Sequence, residues 1–305
     1  MYSRGRMRRR LGAAALAVSA TGALVGCGTA AGPSKAAGDA SAPLHHLLPG
    51  SVARAGRLVV ATNATYPPIE YFAKDNRTII GFDPDLGAAL GRKLGIEFKF
   101  VNVTKFDAVI PGLVADRYDI AMTYMSDFKD RYDKVHFVNY YEDKTVLVTT
   151  AANPAGVDSF DDLCGRTVAV QTGSFAEINT AEAQSKACVA RGDAVVGIVQ
   201  LPAATDKQTQ LQSGRADAAI TALPNASHLV AQNPDKFTIV GKPITAEGAY
   251  VGIAVPAAEV QLRDALQAAM QALLDSGEYR KLVERYGLEA GAVKKALINR
   301  DGAGS

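Results

Sequence analysis

Gly81-Phe82-Asp83-Pro84-Asp85-Leu86-Gly87-Ala88-Ala89-Leu90-Gly91-Arg92-Lys93-Leu94 reads as the opening and body of an amphipathic helix. Asp83 suits the N-cap, where a carboxylate accepts from an unpaired N–H of the first turn. Pro84 suits the first helical position, where a missing N–H is no loss. Phe82, Leu86, Ala89, Leu90 and Leu94 follow at helical spacing and fall on one apolar face. Short apolar runs of strand character lie on either side, Leu58-Val59-Val60-Ala61-Thr62 before and Phe98 to Val103 after. Phe106 to Ala115 reads as the next helix and Asp119 to Met122 as the next strand. This alternation predicts an α/β fold, with a parallel or mixed sheet carrying helices on both faces.

A second series begins near residue 150. Ser159-Phe160-Asp161-Asp162 has the form of a capping box, ended by Gly165 after a short helix. Thr167 to Val170 reads as a strand, and Ser174-Phe175-Ala176-Glu177 as a second capping box opening a long helix. Val195 to Val199 and Ala218 to Thr221 supply further strands. Tyr250 to Val255 is another, followed by a helix that turns Leu262, Leu266, Met270, Leu273 and Leu274 inward. Two such series with a trailing helical segment predict two lobes, the chain crossing between them more than once.

The chain has 305 residues, 48% hydrophobic and 21% charged, a balance that excludes wholesale disorder and fibrous repeats. Arg4, Arg6, Arg8, Arg9 and Arg10 stand in the first 26 residues with no acid beside them; beyond them 28 basic residues face 31 acidic ones, a net of −3. The basic character therefore belongs to the leader, and a nucleic-acid partner is not expected. The apolar run Leu11 to Val25 would span about 22 Å as a helix, short of a bilayer core of roughly 30 Å. It reads as the core of a signal peptide over residues 1–26. Leu24-Val25-Gly26-Cys27 resembles the bacterial lipobox, in which the Cys is lipidated and becomes the mature N-terminus; the alternative is a secreted protein with an incidental Cys27. Residues 27–56 are expected to form the lipidated Cys and a flexible tether, and residues 291–305 a frayed tail. No later segment is long and apolar enough to span, so the body is expected to be soluble.

Cys164 and Cys188 remain as a pair in a compartment that permits oxidation, and a disulfide is expected, two buried thiols being the alternative. Closing a loop of about 25 residues would stabilise by roughly 3.5 kcal/mol on the chain-entropy argument. His45 and His46 sit together in a linker while His136 and His228 stand alone, so neither a metal nor another cofactor is expected.

Gly81 to Leu86, with Leu90 and Leu94, resembles the signature of the bacterial family 3 extracellular solute-binding proteins, the amino-acid receptors of ABC importers. Thr62 to Glu70, Phe106 to Leu113, Asp119 to Arg131, Gly165 to Glu177, Ser213 to Ala218, Tyr250 to Val255 and Gly277 to Arg280 agree in order. The likeness covers roughly residues 57 to 290; Pro84 departs from the apolar residue usual in the family. It implies a two-lobed type II periplasmic-binding-protein fold with a hinge. Lobe 1 would comprise residues 57–149 plus 247–290 and lobe 2 residues 150–246, closing over a ligand in the cleft. It further implies a monomer at the outer face of the cytoplasmic membrane, extracellular or periplasmic, held by its lipid anchor. Its partners would be a small carboxylate ligand, an amino acid or derivative, and an ABC permease. The alternatives are an enzyme on the same fold, resembling cyclohexadienyl dehydratase, and a ligand-sensing lipoprotein.

Arg131 is the first site candidate: a guanidinium grips a carboxylate through two parallel hydrogen bonds that Lys cannot reproduce. Ser126, at a predicted helix start, would add its hydroxyl and N–H. The alternative is a surface Arg131 paired with Asp127 or Asp130. Thr123 lies in the same segment. From the second lobe, Ser174 and Phe175 stand at a helix N-terminus, which favours an anion; Phe175 departs from the small or hydroxyl residue common in the family. Gln171 matches a position that contacts the ligand side chain. Tyr66, Phe106 and Tyr124 offer aromatic faces, or belong to the core. The family's two acids for an α-ammonium match Asn63 and Ala222, with Thr221 adjacent. Asn63 can accept but carries no charge, and Ala222 offers nothing. A buried ammonium without a carboxylate costs several kcal/mol. Either Glu70 or Asp127 supplies the charge, or the ligand's amine is substituted, cyclic or absent; the second is the expectation taken here.

Overall fold

The computed structural model describes residues 38–246 and 249–300; the signal peptide, the lipobox Cys27 and the first part of the expected tether lie outside the described residues. The first pass of the chain runs α1 (Gly50–Ala55), β1 (Arg57–Thr62), the short strands β2 (Thr65–Tyr66), β3 (Glu70–Phe72) and β4 (Ile79–Ile80), then α2 (Phe82–Leu94) and β5 (Glu97–Asn102). It continues through α3 (Val109–Val114), β6 (Ile120–Ser126) and β7 (Val135–Glu142). The second pass runs β8 (Thr145–Thr150), β9 (Thr167–Gln171), α4 (Phe175–Ala190), β10 (Gly197–Leu201), α5 (Asp206–Gln212), β11 (Ala218–Ala222), α6 (Leu223–Gln232) and β12 (Phe237–Ile244). The chain then returns with β13 (Tyr250–Pro256), α7 (Val260–Asp275) and α8 (Glu278–Tyr286).

Two five-stranded mixed sheets result, ordered β5-β1-β6-β13-β7 and β10-β9-β11-β8-β12. In the first, β1 pairs in parallel with β5 and β6, while β13 runs antiparallel to β6 and β7. In the second, β9 is parallel to β10 and β11, and β8 is antiparallel to β11 and β12. The chain passes between the sheets after β7 and again after β12. Since β8 belongs to the second sheet, the first crossing falls at Asp143-Lys144, short of the boundary expected at 149. Every residue of β11 is buried, as a strand covered on both faces requires. The apolar face of α2 (Phe82, Leu86, Ala89, Leu90, Leu94) is buried with Leu262, Leu266, Met270 and Leu273 of α7 in one core. Each such side chain contributes roughly 1.5–3 kcal/mol.

Two local expectations are corrected. Asp83 is not the N-cap of α2: Gly81 holds that place at φ +129°, where a Cβ would lie 2.3 Å from the Ile69 carbonyl oxygen. Asp83 is fully buried in the first turn, its carboxylate accepting from the Tyr140 hydroxyl at 3.1 Å and the Tyr124 N–H at 3.3 Å. Pro84 is still harmless, because the first turn's N–H groups have no intrahelical acceptor. The box at Ser159 and Asp162 forms over a 3-10 turn, but the one at Ser174 does not, because Glu177 turns inward instead.

Residues 38–56 are not tether. The Asp39 and Leu44 N–H groups donate to the carbonyls of Gly95 (2.7 Å) and Lys93 (3.0 Å), completing the C-terminal end of α2, while Leu44, Leu47 and Val52 pack on the core. Nor is 291–300 frayed. The Asn139 N–H donates to the Leu297 carbonyl at 2.8 Å and the Asn299 N–H to that of Phe137 at 3.0 Å, so the segment covers the exposed edge of β7. Cys164 and Cys188 are disulfide-bonded, with Cα atoms 5.5 Å apart. No helix among the described residues is long and apolar enough to cross a membrane.

Candidate functional site

The two sheets meet over a small, nearly filled chamber with about 20 Å³ of free space, room for about one water. Asn63, Tyr66, Glu70, Phe106, Thr123 and Tyr124 wall it from the first lobe, Gln171 and Ser174 from the second. Most of the residues proposed from sequence are thereby brought together. Hydrogen bonds cross between the lobes around it. The Tyr66 hydroxyl meets Thr221 Oγ1 at 3.2 Å and accepts from the Ala222 N–H at 3.1 Å. Gln171 Nε2 donates to Asn63 Oδ1 at 3.1 Å, and Asn225 Nδ2 to the Pro67 carbonyl at 2.8 Å.

Strand ends position these groups. Asn63 leaves β1 with its Nδ2 donating to the Val103 carbonyl (2.7 Å), while its Oδ1 also accepts from Thr65 Oγ1 at 2.7 Å. Its carbonyl is therefore engaged twice. Tyr66 stacks on Tyr124, ring centroids 5.6 Å apart, and Tyr124 sits at φ +46°, a left-handed conformation costly for a bulky residue. Glu70 and Asp83 form a buried carboxyl pair. Burial, then the neighbouring Asp83, holds Glu70 well above the usual carboxylate range, and burial pushes Asp83 up to about 7. The pair keeps a proton at neutral pH.

Arg131 and Phe175 stand elsewhere, on a larger groove outside the chamber, with Phe106 as the shared wall. Arg131 is only 6% exposed, which removes the surface-pair alternative. Its Nη1 donates to the Ser126 carbonyl at 2.7 Å and its Nη2 to the Gly173 carbonyl at 3.2 Å. The Phe175 ring lies 4.4 Å from the guanidinium carbon and the Phe128 ring 5.7 Å. Beyond these two carbonyls, Asp127 is the carboxylate whose charge acts on Arg131, opposing the effect of burial. Burial lowers its pKa to about 10, so it is cationic at neutral pH. Ser126 ends β6 rather than opening a helix and meets Arg131 through its carbonyl alone. Asp127 is drawn into the core, accepting from Asn139 Nδ2 at 2.8 Å and from the Tyr132 hydroxyl.

Sequence reasoning missed three groups. Lys207 Nζ forms a buried ion pair with Glu177 Oε1 at 2.7 Å and donates to the Ile220 carbonyl at 3.2 Å, 5.9 Å from the Tyr66 ring. Lys207 reads as an ordinary polar-face residue of α5, and Glu177 as a cap. Asn225 supplies a bond between the lobes. Asp143, at the first crossing, has its carboxyl pushed up to about 7 by burial, and nothing in its neighbours along the chain marks it.

Residues 58–289 match the bacterial extracellular solute-binding proteins, family 3, and the chain belongs to that family. It is 29% identical over 253 residues to the arginine-binding protein ArgT of Corynebacterium glutamicum, covering 83% of this chain and 81% of that one. Among solved structures it is similar to a mutant of ArgBP from T. maritima (30% identity, TM-score 0.68, 78% of this chain and 98% of that one). It is also similar to an ancestral amino acid-binding protein described as a precursor of cyclohexadienyl dehydratase (28% identity, TM-score 0.67, 77% and 97%).

Proposed function

We propose that this chain captures a small carboxylate between its two lobes and delivers it to an ABC permease, as an extracellular receptor anchored through a lipidated Cys27. The observation that carries the reading is Arg131: a buried guanidinium facing the groove between the lobes, which donates to the carbonyls of Ser126 and Gly173 from the two sides. A carboxylate is its natural partner. The chamber beside it has about 20 Å³ of free space and is bridged by bonds between the lobes, so it would open to admit the rest of the ligand, with Thr123, Ser174, Gln171 and Thr221 as polar contacts and Tyr66, Phe106 and Tyr124 as faces. We read the ligand's amine as substituted, cyclic or absent. Asn63 is uncharged and engaged, Ala222 has only its N–H, and the Glu70–Asp83 pair retains a proton. The second reading, L-arginine, is favoured by the names of ArgT and ArgBP. Binding without turnover is the reading supported by those relatives; the resemblance to a dehydratase precursor makes prephenate the substrate with which to check it.

The test is a dye-based thermal shift of the purified chain, which has no Trp, against amino acids, keto acids, betaines, cyclic amino-acid derivatives and prephenate. A ligand at 100 times its Kd adds about 2.7 kcal/mol, roughly 5–10 °C. A shift with betaines or cyclic derivatives and none with L-arginine supports the first reading; the converse supports the second. Consumption of prephenate would overturn the receptor role.

A further inference from the structure

The groove outside the chamber is larger, with about 480 Å³ of free space against about 20 Å³, and its walls are largely apolar. Phe106, Ile110, Pro111, Val114 and Met125 form one side; Phe175 comes from the other lobe. Two of these are exposed to a degree unusual for their type, Val114 at 58% and Phe175 at 37%. The charged groups are unevenly placed. Arg131 is buried in the wall, whereas Lys134, Asp107 and Asp130 are exposed. An apolar groove with a desolvated cation in its wall suits an occupant that is apolar along its length and anionic at one end.

We propose that this groove is a second subsite of the cleft, one that takes the aromatic or branched apolar part of a carboxylate held on Arg131. The proposal rests on the reading of Arg131 as the carboxylate's partner and extends it to the class of ligand. Because Gly173 and Phe175 belong to the second lobe and the other walls to the first, an occupant touches both lobes. It thereby favours the closed arrangement. The Phe175 ring, 4.4 Å from the guanidinium carbon and itself in the groove wall, would pack on the ligand beside the ion pair.

The experiment is isothermal titration of the full chain with 3-phenylpropionate, propionate and 3-phenylpropanol, repeated on Val114→Asn and on Arg131→Gln. The expected result is that 3-phenylpropionate binds at least roughly tenfold tighter than propionate, since the ring leaves water. The alcohol should bind more weakly than the acid. Val114→Asn should reduce that advantage without altering propionate binding, and Arg131→Gln should weaken both acids. Equal affinity for the two acids, with Arg131→Gln weakening both, overturns the subsite and leaves the carboxylate reading intact. Binding of neither acid overturns both. An advantage that Val114→Asn leaves untouched places the ring elsewhere and overturns the subsite. Val114 is exposed, so the variant is expected to fold, and an unchanged melting temperature verifies that.

Discussion

Replacing Lys207 by Met should be among the most damaging single changes in the second lobe. Lys207 Nζ lies 2.7 Å from Glu177 Oε1 with side-chain exposures of 4% and 5%. At that distance and an effective dielectric constant of about 20, the attraction is on the order of 6 kcal/mol, offset by the cost of taking both charges out of water. Removing the ammonium abolishes the attraction and leaves the carboxylate's desolvation in place. Glu177 keeps only the Gln171 N–H at 2.6 Å as compensation. The expected loss is about 3–5 kcal/mol. With a urea dependence of about 3 kcal/mol per molar, the midpoint falls by roughly 1–2 M. The double variant Lys207→Met with Glu177→Gln removes both charges and preserves an acceptor for Gln171, so most of that loss should be recovered. Equilibrium urea unfolding of wild type, both singles and the double gives the coupling directly. A single variant that loses less than about 1 kcal/mol, or a double as unstable as Lys207→Met, would refute the argument that an uncompensated buried charge is the cause.

Three further outcomes are expected. Gly173 lies at φ +80° with the position of a Cβ 2.9 Å from Asp107 Cβ, so Gly173→Ala holds the lobes apart at the groove; titration should show weaker ligand binding, and an unchanged affinity would contradict it. Replacing Cys164 and Cys188 together by Ser reopens the loop and should cost roughly 3.5 kcal/mol in unfolding experiments under oxidising conditions, an effect absent when wild type is reduced. Asp83 and Asp143 are each raised from 3.8 to about 7 in the folded chain. Between those values the native state holds protons that the unfolded chain has released. Their contribution is full below about pH 4 and is lost as the pH rises through 7. The melting temperature should therefore fall from pH 5 to pH 8, and Asp83→Asn should flatten that slope; a slope unchanged in the variant assigns it to other groups.

The legible parts of the fold were those in which one element buries its own face. The apolar stripe of α2 and the all-buried strand β11 announce themselves because periodicity records burial. Strands β7, β8 and β12 and the edge segment 291–300 did not, since their partners are distant in sequence and nothing local sets their pairing. Polar residues were misjudged for a related reason. Asp83 and Glu177 occupy places where a cap is the local solution, yet both carboxylates find buried partners contributed by distant elements, Tyr140 in one case and Lys207 in the other. Lys207 lies on a short helix where a lysine is ordinarily solvated, and only the tertiary structure turns it inward. The site residues were found through the order of short segments; their division between chamber and groove depends on the angle at which the lobes meet.

The charge arrangement around the cleft discriminates in one direction. Groups able to receive a cation are satisfied or neutral: both Asn63 Oδ1 contacts are taken, Glu70 and Asp83 hold a proton, and Glu177 is paired with Lys207. The group able to receive an anion is Arg131, desolvated and bonded to the carbonyls of Ser126 and Gly173, with the charge of Asp127 acting on it. On the reading proposed above, an incoming ammonium would have to break an existing bond or deprotonate the buried pair, whereas a carboxylate would meet the Arg131 guanidinium. Changing Asn63 to Asp tests that asymmetry. One oxygen of the new carboxylate would lie against Gln171 Nε2 and Thr65 Oγ1, both donors, while the other would replace Nδ2 and face the Val103 carbonyl, so the variant should melt lower than wild type and is compared at a temperature where both are folded. L-Arginine or another α-amino acid should then bind more tightly than to wild type, while affinity for 3-phenylpropionate falls. If Asn63→Asp left the preference between amino acids and amine-free acids unchanged, discrimination would have to come from the shape of the chamber and not from its charge.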